Sequence, residues 1–327
     1  MTLLVTGGTG FLGSYLTRHA LGSGAQDRVV VLDRYPDRSR IADVLDRVTL
    51  VEGDVGDQGV VEEVFAGYGI DRVAHFAFIL GSPPPGRMPA YIQVQCQGTA
   101  NVLEAARVAG VRRFLFASSV AAYGALDAAV LTEDLVPDPQ VPYGFCKLWG
   151  EAMVNHYAGS LGLDAVSLRF GSTYGLGRGW RGSYNSGLMP PPRSLHYMAR
   201  VESAARGQSI VMPADTVMAD WTYAADAAQA AWLALTQERL RHRLYNVSSA
   251  RLPVGQFTAA LRAALPDAAI TVDPEEPAGN AHAPMDNTRL VTDLGFVPAF
   301  DLAAGVADYL ERIRIADACV AAKGRAS

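Results

Sequence analysis

Cysteine is scarce in this chain: Cys96, Cys146 and Cys319 are the only three among 327 residues, and their spacing suits no metal. That excludes a disulfide framework and a cysteine-built metal centre, and it points to the reducing cytoplasm. Long apolar runs are also missing. None approaches the roughly 18–20 residues that span a bilayer, although 50% of the sequence is apolar. A first strand expected from about Thr2 leaves no room for a signal peptide. Basic charge is in deficit, with 28 Lys and Arg against 33 Asp and Glu, a net charge of -5 and a pI near 5.7. Nucleic acid and anionic membrane surfaces are therefore poor partners. There is no internal repeat and no low-complexity tract. The apolar half suffices for a large core, or for two lobes that share one.

What is present is alternation. Short apolar runs at Leu3–Thr6, Arg28–Leu32, Val48–Glu52, Arg72–Ala77, Phe114–Ser118 and Ala165–Phe170 are separated by helix-length segments. Those segments are Phe11–Gly22, Val60–Gly67, Pro89–Gly110 and Pro142–Leu161. This order predicts an α/β fold, a doubly wound parallel sheet with helices on both faces. After Tyr174 a Gly-, Pro- and Arg-rich stretch without period reads as a long loop. Returns to the sheet are expected around Asp220–Leu235 and Leu244–Ser249. The expected division is residues 1–173 with returning segments about 220–249, a smaller lobe from 174–219 and 250–315, and a fraying tail at 316–327.

"TGGTGFLG" (Thr6–Gly13) places four glycines between the first strand and the first helix. Bare backbone at a helix N-terminus leaves N–H groups and the positive dipole end free for a pyrophosphate. Asp33 follows Gly13 by twenty residues at the end of the second strand, where a carboxylate accepts the ribose hydroxyls. A 2′-phosphate beside it would cost on the order of 1–4 kcal/mol, so NAD is expected rather than NADP. Arg34, Arg38 and Arg40 stand close enough to soften that penalty. "GDVGD" sets Asp54 toward the adenine amine and Val55 against its ring. The expected cofactor residues are Gly7, Gly10, Phe11, Leu12, Gly13, Asp33, Arg34, Asp54, Val55, Ala77, Tyr143 and Lys147.

"YGFCK" sets Tyr143 and Lys147 four apart, one above the other on a helix. A phenol needs its pKa lowered by roughly 2–3 units, about 3–4 kcal/mol, to act as a base near neutrality. The Lys147 cation, with the positive nicotinamide nearby, is the expected source. Ser119, in "ASSVAAYG", is positioned to donate a hydrogen bond to the same substrate oxygen. Cys146 and His75 read as packing groups, and no metal is expected.

Together, TGxxGxxG, Asp33, "GDVGD", SSxxxYG, YxxxK and "RFGSTYG" resemble the extended short-chain dehydrogenase/reductases, and within them the NAD-dependent epimerase/dehydratase group. The resemblance extends to about Ile315. It implies a Rossmann lobe, a smaller C-terminal substrate lobe, NAD between them, and Ser119, Tyr143 and Lys147 as the catalytic triad. It also implies a homodimer built on the helices containing Pro89–Gly110 and Pro142–Leu161.

The sequence departs from the group's pattern in several places. Val120 and Ala121 replace the acid–base pair of a dehydratase. Ala219 stands where an arginine usually grips a diphosphate, and Glu275 and Glu276 fall where a basic cluster is usual. Gln95 and Ser172 replace asparagines, and Phe78 replaces a small residue, which narrows the substrate mouth. The expected substrate residues are Phe78, Ser119, Ser172, Arg178 and Arg181, with Trp180, Tyr184, Arg193 and His196 in the same inserted loop. The expected function is an NAD-dependent oxidoreductase acting on a secondary alcohol or ketone of a small polar substrate, a sugar acid or hydroxy acid. Two alternatives stand: an NAD-retaining sugar or nucleotide-sugar epimerase, and a non-catalytic NAD-binding protein.

Overall fold

Alternation within the strands decides which helices cover each face of the sheet. In the first strand Leu3 and Val5 point to one hydrophobic core and Leu4 to the other; in the second, Val29 and Val31 oppose Val30 and Leu32. A strand with both faces apolar is buried on both sides, as a doubly wound sheet requires. The computed structural model describes residues 1–24, 28–178, 197–214, 216, 218–276 and 282–324.

The strands are β1 (Thr2–Thr6), β2 (Arg28–Asp33), β3 (Val48–Glu52), β4 (Arg72–His75), β5 (Arg113–Ser119), β6 (Ala165–Phe170), β7 (Thr173–Tyr174), β8 (Ile210–Met212), β9 (Met218–Tyr223), β10 (Leu244–Val247), β11 (Ala250–Pro253) and β12 (Ile270–Val272). The helices are α1 (Phe11–Gly22), α2 (Gln58–Tyr68), α3 (Met88–Ile92), α4 (Gly98–Val108), α5 (Pro142–Ser160), α6 (Tyr197–Ala204), α7 (Ala224–Thr236), α8 (Val254–Ala264), α9 (Thr288–Leu294) and α10 (Leu302–Gly324). Seven strands form one parallel sheet in the order β10-β6-β5-β4-β1-β2-β3. This is the Rossmann architecture. α1 and α7 cover one face; α2, α4 and α5 cover the other. β11-β9-β7 and β12-β8 make two small sheets beside it.

Three local expectations change. The segment Pro89–Gly110 is helical from Met88 to Val108 but not regular, because a π-helical turn at Gln93–Gln97 joins α3 to α4. The wider turn carries Gln95 inward, where its amide bonds both the N–H (3.1 Å) and the carbonyl (2.9 Å) of Ile79. The segment Asp220–Leu235 adds no strand to the main sheet: β9 joins the small sheet, and α7 is what returns. Residues expected to fray from 316 continue α10 to Gly324, since the stretch is rich in alanine and Arg206 holds Asp317 through two bonds of 2.8 and 2.9 Å.

α5 lies unusually close to β5 and the turn after it. A Cβ on Gly144 would stand 2.3 Å from the Ala121 carbonyl oxygen, and one on Gly150 would sit 2.1 Å from the Phe116 ring. Pro142 opens the helix, where its fixed φ and missing N–H suit the first turn. That close approach brings Tyr143 and Lys147 to the end of β5.

Candidate active site

β1 and β4 are neighbours in the sheet, but the chain leaves them in opposite directions. Their C-terminal loops diverge and open a crevice, the usual ligand position in such sheets. The cavity there has a volume of about 620 Å³. Every residue expected to hold the cofactor lines it, as do Phe78, Ser119, Ser172 and Arg178. Arg181, with Trp180, Tyr184, Arg193 and His196, lies outside the described residues.

At one end is the glycine loop. Gly7 takes a φ of +66°, and a Cβ on Gly13 would fall 2.2 Å from the Gly7 carbonyl oxygen, so the turn closes only with bare backbone. Gly10 caps α1 with no side-chain hydrogen bond, and no acid occupies the first turn. The first N–H groups of α1 thus remain available to an anionic ligand. Asp33 accepts the Thr9 hydroxyl (2.6 Å) and N–H (3.1 Å) on one oxygen and the Tyr35 N–H (3.3 Å) on the other. It ties the end of β2 to the loop while still facing the cavity. Asp54 is engaged as well, by Arg34 at 2.8 Å and by the Gly56 N–H at 2.9 Å. Arg40 is buried and pairs with Asp37 at 3.3 Å.

At the other end Ser119 accepts the Ala121 N–H (3.2 Å), and its hydroxyl lowers the Tyr143 phenol's pKa. The Lys147 Nζ lies 5.3 Å from the centre of the Tyr143 ring. Burial pushes Tyr143 up to about 12, and what works against burial is the Arg178 charge first and the Ser119 bond second. Lys147 is 1% exposed, and burial drives its ammonium well below the usual lysine range. Its Nζ donates to the Ala117 carbonyl (2.5 Å) and lies 2.9 Å from the centre of the Phe78 ring. Phe78 stands on edge against His75 and Phe116 and lines the cavity with its ring directly over the lysine.

His75 is fully buried between the hydroxyls of Thr6 (2.7 Å) and Thr99 (3.1 Å), a packing group as the sequence suggested. Cys146 is buried with its sulfur 3.8 Å from that of Cys96. Glu276 does not face the cavity; it pairs with Arg200 at 2.5 and 2.7 Å. No cluster of three or more His, Cys, Asp or Glu that would hold a metal occurs among the described residues. No described helix is long and apolar enough to cross a membrane.

Asp220, Arg251 and His282 are among the lining residues not expected as site residues from the sequence. Arg251 and Asp220 are thirty-one positions apart and meet only because β11 pairs with β9. The one signal available was a lone cation, Arg251, in an otherwise uncharged run following "LYNVSSA".

A sequence model of the NAD dependent epimerase/dehydratase family matches residues 3–248. The UDP-glucose 4-epimerase of Corynebacterium glutamicum is 32% identical over 253 residues, 76% of this chain and 75% of that protein. That of Streptomyces lividans is 34% identical over 236 residues, 71% and 70% of the two chains. The structure of the Thermus thermophilus UDP-glucose 4-epimerase in complex with NAD superposes with a TM-score of 0.78 at 26% identity, covering 96% of this chain and 99% of that one. The residues present fit NAD: a cavity running from Asp54 to Lys147, uncapped N–H groups at α1, and an acid at the end of β2. NAD is the cofactor, and this chain belongs to the NAD-dependent epimerase/dehydratase family, an enzyme of the extended short-chain dehydrogenase/reductase type.

Proposed function

We propose that the enzyme moves hydride between NAD and a secondary alcohol or ketone of a small polar substrate of the sugar-acid or hydroxy-acid type. The observation that carries this reading is that Ser119, Tyr143 and Lys147 line the same cavity as the glycine loop. Bound NAD supplies the hydride acceptor. Tyr143 takes the proton of the substrate hydroxyl, and Ser119 donates a hydrogen bond to the same oxygen. Lys147, fixed on the Ala117 carbonyl, holds α5 to the end of β5. Arg178 supplies the positive charge that favours the phenolate. Beside Ser119, Val120 and Ala121 offer no titratable group for removing water from the intermediate. Replacing Tyr143 by Phe is expected to lower kcat about 10²- to 10⁴-fold while NAD still binds, as measured by NADH formation and by fluorescence titration. A variant that keeps full turnover would remove Tyr143 from the proton step.

The epimerase reading is favoured by the relatives, which bear that name at 32% and 34% identity. In an epimerase the same cofactor must return the hydride, so it must stay bound. Denaturing the purified protein after long dialysis and quantifying released NAD separates the two readings. Near one NAD per chain supports the epimerase; little NAD, with NADH formed on a panel of hydroxy and sugar acids, supports the dehydrogenase.

A further inference from the structure

The cavity holds a charged cluster that neither hydride transfer nor the cofactor uses. Asp220 on β9 is 2% exposed, and its Oδ2 has no hydrogen-bond partner. Arg251 on β11 stands opposite it in the antiparallel register. The Arg251 Nη1 donates to the His282 carbonyl (3.0 Å) and lies 3.5 Å from Asp220 Oδ1. The His282 ring flanks the other oxygen, with Nδ1 3.4 Å from Asp220 Oδ2 and 2.9 Å from the Ala283 carbonyl. Burial pushes the Asp220 carboxyl up, and the neighbouring His282 and Arg251 work against it. All three residues line the cavity that contains Tyr143, and the Arg251 side chain is 28% exposed.

The cluster is built but incomplete. Arg251 is anchored through Nη1 alone, and its Nε and Nη2 have no hydrogen-bond partner among the described residues. Those two N–H groups form the edge of the fork that takes a carboxylate through two parallel bonds. Charge selects among anions. Asp220 already offsets the Arg251 charge, so the several negative charges of a diphosphate would meet far more repulsion from this buried carboxylate than the single charge of a carboxylate does. Ala219, in register with Leu252, adds no second cation. Arg251 and His282 also lie beyond residues 3–248, which the family's sequence model matches.

We infer that Arg251, held in place by Asp220 and the His282 carbonyl, is the residue that recognises a carboxylate group on the substrate. The inference rests on the hydride reading of the same cavity and names its substrate class, a hydroxylated carboxylic acid. Asp220 and His282 are positioning residues.

The test uses the full chain saturated with NAD and calorimetric titration of D-glucuronate, D-gluconate, D-glucose and UDP-glucose. At least one of the two acids is expected to bind ten times more tightly than D-glucose and more tightly than UDP-glucose. Arg251→Gln is expected to lose that acid's binding by tenfold or more while NAD affinity stays within twofold, and Arg251→Lys is expected to recover part of it. NAD affinity reports folding in each variant. The proposal is overturned if neither acid binds, or if Arg251→Gln holds NAD and the acid as the native chain does. It is equally overturned if UDP-glucose is the tighter ligand. Tyr143→Phe separates the two readings: its acid affinity should stay within threefold while turnover is lost. Unchanged turnover in that variant sinks the hydride role of Tyr143 and leaves the Arg251 result standing on its own.

Discussion

A buried phenol becomes a base only where positive charge outweighs the loss of water. At Tyr143 burial dominates, pushing the phenol up to about 12, and the Arg178 charge works against it. The phenolate is the active form in oxidation, so removing a cation that favours it raises the pKa and lowers the rate at fixed pH. Arg178→Met is therefore expected to shift the rising limb of kcat/KM for alcohol oxidation toward higher pH. Activity at pH 8 should fall about three- to tenfold, the effect of one charge in a cleft, and recover in strong base, with Arg178→Lys rescuing the profile. A pH profile of unchanged shape would exclude Arg178 from the proton step. The Tyr143–Lys147 pair is legible in the sequence because four-residue spacing on a helix fixes adjacency. The source of the charge is not legible there: Arg178 lies in a loop without period, and its approach to Tyr143 depends on where β6 and β7 end.

Elements that read as simple in sequence carry their function in irregularities. The segment from Pro89 to Gly110 has the composition of one helix, yet its π turn directs Gln95 onto Ile79. No residue type marks a π turn, so the widening is set by the tertiary contact. Ile79, Leu80 and Gly81 line the cavity next to Phe78, so the two Gln95 bonds hold one wall of the mouth. Gln95→Ala leaves a buried N–H and a buried carbonyl without partners, expected to cost about 2–4 kcal/mol in urea unfolding. It should also raise KM for the substrate more than it lowers kcat. A loss under about 1 kcal/mol with unchanged KM would mean that water replaces the amide and the wall is held elsewhere. By contrast, the glycine loop, β2 and Asp33 are legible because a tight strand–helix turn admits only glycine at Gly7 and Gly13. The small sheets are not: β7 has two residues and pairs with β9 about fifty positions later, too short and too distant for any periodicity to show.

The whole molecule joins its two cores through the parallel sheet, and two buried titratable groups in those cores make its stability respond to acid with opposite signs. His75 touches β1 through Thr6 and α4 through Thr99, and burial first, then the Lys147 charge, lowers it from 6.5 to about 3. As pH falls below 6.5 the unfolded chain takes up the proton and the folded one does not. The stabilisation from neutral His75 is thus complete above about 6.5 and is lost progressively toward 3, about 2 kcal/mol of it between pH 7 and pH 5. Asp226, buried in α7 and accepting the Ala299 N–H at 2.7 Å, is raised by burial from 3.8 to about 6. There the folded chain takes the proton first, which adds about 1 kcal/mol over the same interval. Between them these two groups should therefore contribute only a shallow net decline in stability from pH 7 to pH 5. Replacing His75 by Gln removes the losing member and should leave stability level or rising toward pH 5, whereas Asp226→Asn should steepen the decline. Urea midpoints at both pH values for the three proteins measure this directly. Parallel pH dependences in all three would mean that neither group differs in proton affinity between the folded and unfolded chain, and that the acid response belongs to surface carboxylates.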